Sequence, residues 1–175
     1  MSKGLPGLAG TEHVGFTVPD IEAATRFFVE VIGCEVLFEA GPFHAEDDWM
    51  ARHLAVHPRA VIAKLRMLRC ANGPAFELLE YVAPDQARMP PRNSDVGGWH
   101  LAFYVEDMEA ALAHLRTAGV EVLGEPTTIG EGPTRGLTWV YFNSPWGQQL
   151  ELVSFPRGLA YTAAASVRPW DPREG

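Results

Sequence analysis

The sequence predicts an α+β fold built from two tandem βαβββ modules. Three observations predict it. Thr11 to Asp20 (T-E-H-V-G-F-T-V-P-D) and Gly98 to Asp107 (G-W-H-L-A-F-Y-V-E-D) match, each with histidine third, alternating apolar residues after it and Val-x-Asp at the end. Each is followed by a stretch with helical periodicity that stops at a glycine. After each glycine come a short strand, a loop and a hairpin-like pair of strands.

The elements follow in order. On the first helix, Ile21 to Ile32, residues Ile21, Ala24, Phe28, Val31 and Ile32 share one face, and Asp20 is placed to cap its N-terminus. Met108 to Ala118 repeats this with Asp107 as the cap and Met108, Ala111, Leu112 and Leu115 as the stripe. Gly33 and Gly119 stand where a left-handed residue ends a helix. Strands Glu35 to Glu39 and Glu121 to Gly124 come next. The first strand pair is Ala60 to Arg69 and Ala75 to Tyr81, turning at Asn72-Gly73. The second is Leu137 to Asn143 and Gln148 to Ser154, turning between Asn143 and Gly147. Residues 1–175 thus read as a single domain with modules at 11–82 and 98–154 and a C-terminal extension at 155–175. Neither module buries its faces alone, which suits two copies sharing a core.

Two segments break the repeat. Gly41 to Pro58 reads as an inserted loop carrying His44, Asp47, Asp48, Trp49, His53 and His57, with Trp49 a lid residue. The three histidines read as surface residues. The tail from Pro156 has no period, and Ala83 to Asp95, with three prolines, is the linker.

At 175 residues, 47% hydrophobic and 21% charged, the composition is that of a folded globular protein. A formal net charge of −8 argues against nucleic acid and gives no support for a polyanionic ligand. No apolar run is long enough for a membrane span, and the first ten residues do not read as a secretory signal, so a cytoplasmic protein is expected. Cys34 and Cys70 form no spaced pair and read as two small buried hydrophobes in a reducing compartment.

The chemistry lies in four residues. Residues two apart on a strand share a face, so His13 and His100 each point away from their strand's apolar stripe. Phe76-Glu77-Leu78-Leu79 and Leu150-Glu151-Leu152-Val153 each place an acid in an apolar strand, where a carboxylate is costly unless paired, protonated or bound to a cation. Glu80 competes with Glu77, and the alignment of the two strands favours Glu77. His13, Glu77, His100 and Glu151 form a mixed N/O set for one divalent ion: Zn, Ni, Co, Mn or Fe. Arg135 is a candidate for meeting a substrate anion.

The chain resembles the vicinal oxygen chelate superfamily, which includes glyoxalase I, methylmalonyl-CoA epimerase, extradiol dioxygenases and the fosfomycin- and bleomycin-resistance proteins. The resemblance runs from about Thr11 to Ser154. It rests on H-V-G-F-T-V-P-D, Arg26-Phe27-Phe28 before Ile32-Gly33, F-E-L-L-E-Y, G-W-H-L-A-F-Y-V-E-D and N-S-P-W-G-Q-Q-L-E-L-V. It implies two open, curved sheets around a central metal cleft (the glyoxalase/bleomycin resistance/dioxygenase fold). It also implies a small oxygenated substrate chelated by the metal, with Glu151 or Glu77 as the base. An acid at Glu77 favours a lyase, isomerase or epimerase working through an enolate over an Fe(II) ring-cleaving dioxygenase. Retention of all four ligands disfavours a non-catalytic drug-binding protein. The segment Glu80-Tyr81-Val82-Ala83-Pro84 lacks the asparagines of glutathione-binding relatives, and Asn143-Ser144-Pro145-Trp146-Gly147 departs from the superfamily's usual turn. The exposed edges of the strands after each helix imply a homodimer.

Overall fold

A computed structural model describes residues 4–174. The elements run β1 (His13–Thr17), α1 (Ile21–Arg26, continuing as a wider π-helical turn over Phe27–Ile32), β2 (Glu35–Ala40), α2 (Trp49–Leu54), β3 (Val61–Arg69), β4 (Ala75–Val82), β5 (Leu101–Tyr104), α3 (Met108–Thr117), β6 (Val122–Thr128), β7 (Thr138–Asn143) and β8 (Gln149–Ser154). The strands form two four-stranded sheets, ordered β1-β4-β3-β2 and β5-β8-β7-β6. In each, the first and last strands of the module pair in parallel, and the other neighbours are antiparallel. The expected α+β class and the repeated βαβββ order are present.

The chain divides into two compact units. One comprises Gly33–Gln86 with the chain before Ala23, and the other comprises Ala23–Ile32 with the chain from Ala87 onward. In the first, alternation puts Phe16, Phe76, Leu78 and Leu68 on one buried face, with the rings of Phe16 and Phe76 stacked. Met67 and Leu65 oppose Glu77 and Leu79 on the other face. In the second, Val140, Phe142, Leu150 and Leu152 are buried along with Leu112 and Leu115 of α3.

From Ala23 onward, the helix after β1 belongs with the second unit. Phe27 and Phe28 each lie 5.8 Å, centroid to centroid, from Trp146 of the β7–β8 turn. His114 Nε2 bonds the Val31 carbonyl at 2.8 Å. The unusual tryptophan of that turn is therefore a packing residue. Asp107 caps α3 as expected, accepting from the Ala110 N–H at 2.9 Å. At the start of α1, the Ile21 N–H donates to Glu80 Oε2 at 2.8 Å. Arg66 ties this region together, donating to Glu22 of α1 and Glu39 of β2.

Several expectations change. The inserted segment is not simply a loop. Six of its residues form α2, whose Met50 is 1% exposed and packs with Ala60, Ile62, Leu79 and Tyr81 on the Glu77 side of the first sheet. Trp49 lies outward against His53. The tail also folds back: Ala160–Ala163 make a 3-10 turn, and the Arg173 guanidinium donates to the carbonyls of Phe155 and Pro156. Strand β6 runs to Thr128, past the expected end at Gly124.

The cysteine reading is overturned. Cys34 and Cys70 form a disulfide with Cα atoms 4.2 Å apart. The register pairs Glu35 with Arg69, which sets the two cysteines opposite each other at the end of the β2–β3 ladder. Only the register reveals a partner 36 residues away. Their pairing removes the support that two separate thiols lent to a reducing compartment. No described helix is long and apolar enough to cross a membrane.

Candidate metal-binding and catalytic site

Each module places one histidine and one glutamate of the candidate set through the same register. In the first, parallel pairing sets His13 opposite Ala75 and Gly15 opposite Glu77. Alternation then brings His13 and Glu77 to one face, where His13 Nε2 lies 4.0 Å from Glu77 Oε2. The other ring nitrogen, Nδ1, is held by the Glu12 carboxylate. That hydrogen bond is the main reason the imidazole is pushed up from its usual value, against the effect of burial and with smaller help from the charges of Glu12 and Glu77. Gly15 makes the room, because a Cβ there would lie 3.2 Å from Glu77 Oε2. The Tyr81 phenol on the same face is pushed up by burial and then by the Glu77 charge.

The second module repeats the pattern. Ala102 stands opposite Glu151, so His100, two residues earlier, relates to Glu151 as His13 relates to Glu77. His100 Nε2 is 3.1 Å from Glu151 Oε2. Here the acid is deeper, with a side chain 11% exposed against 22% for Glu77. Burial pushes the Glu151 carboxyl up, opposed by the neighbouring His100. Gln148, itself buried, donates from its amide to the Trp99 carbonyl at 2.8 Å and so fixes the backbone beside His100.

The structure brings in Tyr141, a residue that sequence reasoning passed over. It is the cross-strand partner of Glu151, and its ring packs edge-on to His100 at 5.2 Å. Burial, and next the Glu151 charge, raise its phenol. The signal was available in Thr138-Trp139-Val140-Tyr141-Phe142, whose alternation puts Trp139 and Tyr141 opposite the buried Val140 and Phe142.

The predicted ligands thus come together as two His–Glu pairs, one in each unit. Within each unit the clustering stops there: among the described residues no three His, Cys, Asp or Glu groups gather to hold a metal ion alone. The donors of each pair still fit a cation. Imidazole nitrogen and carboxylate oxygen suit a borderline divalent ion, the glycine beside Glu77 leaves the carboxylate its space, and Glu151 is a buried acid that a cation would compensate. Glu80 is not part of the pair, since its carboxylate is engaged by the Ile21 N–H. The insertion's histidines lie elsewhere, with His53 stacked on Trp49 and His57 Nδ1 accepting from the Arg59 N–H. Arg135 sits in the β6–β7 loop, its carbonyl accepting from Ala160.

A family model described as the Glyoxalase/Bleomycin resistance protein/Dioxygenase superfamily matches residues 12–138, well over half of the chain. The chain belongs to this superfamily. A 2-epi-5-epi-valiolone epimerase from an Actinomyces species is 47% identical over 171 residues, covering 97% of this chain and 92% of that protein. A glyoxalase family protein from Enterococcus faecalis has a similar structure, with a TM-score of 0.59 and 25% identity over 83% of this chain and 97% of that one. A second, from Bacillus cereus, reaches a TM-score of 0.65 at 22% identity over 88% of this chain and 97% of that one. Within the superfamily, these relatives support an enzyme of the epimerase or isomerase type; they do not favour the dioxygenase and drug-binding alternatives.

Proposed function

We propose that this superfamily member is an epimerase that inverts a carbon beside the carbonyl of a small polyhydroxylated cyclic ketone. It would use one divalent cation bound by His13, Glu77, His100 and Glu151. The observation that carries this reading is the 47% identity, over 97% of the chain, to a 2-epi-5-epi-valiolone epimerase. The repeated His–Glu register supports the metal part of the reading.

Inverting such a carbon requires that a proton leave it on one face and that a proton return on the other. No electrons are gained or lost, and no second substrate is consumed. Held by these four side chains, a divalent cation would supply Lewis-acid polarisation of a carbonyl oxygen. The rest falls to side chains. His13 and His100 would contribute their Nε2 nitrogens, the atoms that face Glu77 and Glu151. Glu151, whose proton affinity burial raises, is suited to exchange a proton with one face of that carbon. Glu77, the second carboxylate, would serve the opposite face, so that one takes the proton and the other returns one. Tyr141 packs edge-on against the His100 ring and stands opposite Glu151 across the β7–β8 pair. The metal reads as Zn, Ni, Co, Mn or Fe. We further propose a homodimer, a second copy covering the edge strand β2, where Val36, Leu37 and Phe38 are 43–53% exposed.

Incubation of the metal-reconstituted protein with 2-epi-5-epi-valiolone in D2O tests the reaction. Inversion with one solvent deuterium at the inverted carbon is the expected result, and Glu151→Gln should slow it about 10²- to 10⁴-fold. An inert ketone, or oxygen uptake with a catechol instead, would sink the proposal.

A further inference from the structure

His100 turns Nε2 toward Glu151, and its other nitrogen meets a residue of the segment that joins the modules. Asn93 Nδ2 stands 3.3 Å from His100 Nδ1, while Asn93 Oδ1 is buried with no hydrogen-bond partner among the described residues. A buried amide oxygen without a donor is unfavourable, and a protonated imidazole Nδ1 is a donor. A half-turn of the carboxamide exchanges its two ends with almost no change of shape and brings that oxygen to Nδ1.

The first module supplies an independent observation. There the ring's Nδ1 is bonded to the Glu12 carboxylate, which when ionised only accepts hydrogen bonds. His13 therefore carries a proton on Nδ1 and faces Glu77 with Nε2. His100 occupies the same place in its own register.

The segment carrying Asn93 is also firmly built. Arg92 donates to the Asp95 carboxylate, the Asp95 N–H to the Arg92 carbonyl and the Gly98 N–H to the Asp95 carbonyl. Only glycine suits position 98, where a Cβ would collide with the Arg92 carbonyl oxygen. These bonds leave Asn93 little freedom to drift from the ring.

We propose that Asn93 is the positioning residue of His100. Its amide oxygen accepts the Nδ1–H, holds the ring in the Nδ1-protonated tautomer and leaves the Nε2 lone pair beside Glu151 free for a divalent cation. Its role in metal binding rests on the four-ligand reading above, but the tautomer is measurable without metal.

The ring ¹⁵N shifts of His100 in the metal-free native protein, at a pH where the ring is neutral, decide the first part. The Nδ1–H form is expected; a proton on Nε2 would overturn the assignment. Asn93→Asp keeps the acceptor and should keep the tautomer, whereas Asn93→Leu should lose it. An unchanged Leu variant would equally count against it. Titration with Co(II) then reads the consequence: affinity about 10- to 100-fold weaker in Asn93→Leu, restored in Asn93→Asp. Equal affinity in native and Leu proteins would overturn the positioning role. If the native protein takes up no Co(II), the four-ligand reading and the role at a metal fall, while the ¹⁵N shifts still decide the Asn93–His100 hydrogen bond.

Discussion

At position 15 a single added carbon would press within 3.2 Å of the Glu77 carboxylate, so this glycine sets where that acid can sit. Gly15→Val should displace Glu77 while leaving the buried face of β1, carried by Phe16, intact. Metal affinity is expected to fall about tenfold or more, since small misplacements of a catalytic group can cost up to ~10²-fold. Unchanged metal affinity on titration would refute this role for Gly15. Alanine already stands at the equivalent place, Ala102 opposite Glu151, so the two half-sites tolerate different crowding. At this scale the pairing of each histidine with its glutamate was legible in the sequence, because strand alternation alone tells which side a residue faces. Glu80 was harder. Three residues from Glu77, it lies on the opposite face of the strand, and only the structure shows the Ile21 N–H engaging it. Tyr141 was missed because its importance comes from a cross-strand neighbour, which the linear pattern of β7 does not name.

The helix after β1 is held at its start by charge. Glu22 accepts from both Arg66 and Lys64, and its carboxyl is lowered to about 2, chiefly by the Arg66 hydrogen bond. A depressed folded-state value means stability that is present above the ordinary 4.5 and lost as pH falls toward about 2. Urea midpoints measured across that window should drop more steeply for the native protein than for Glu22→Gln. Parallel curves would show that this exposed network contributes nothing measurable. Elements with long periodic stripes, such as α3 with its capping Asp107, were readable in advance. Helix α2 was not, because six residues with one buried side chain give no period to detect. The attachment of Phe27 and Phe28 to Trp146 was equally hidden, since an apolar stripe shows that a helix packs but not against which partner.

Across the whole molecule, the duplicated register is the organising feature, and the sequence repeat disclosed it nearly completely. If one cation joins residues of both modules, its removal should be felt globally. A chelator is expected to lower the midpoint of thermal unfolding, with about 2.7 kcal/mol lost for metal previously at one hundred times its Kd, or several degrees for a chain of this size. A midpoint indifferent to chelation would argue that no structural or catalytic ion is bound. The bond between Cys34 and Cys70 escaped the sequence reading because strand register, rather than spacing, brings the two residues together. It also has a consequence for how the chain breaks. Arg52, 59% exposed on α2, lies inside the ring that this bond closes. A single tryptic cut there severs the backbone but releases no fragment. The nicked protein should run as one species on a gel without reductant and as two with it, so a non-reducing gel alone would conceal the damage.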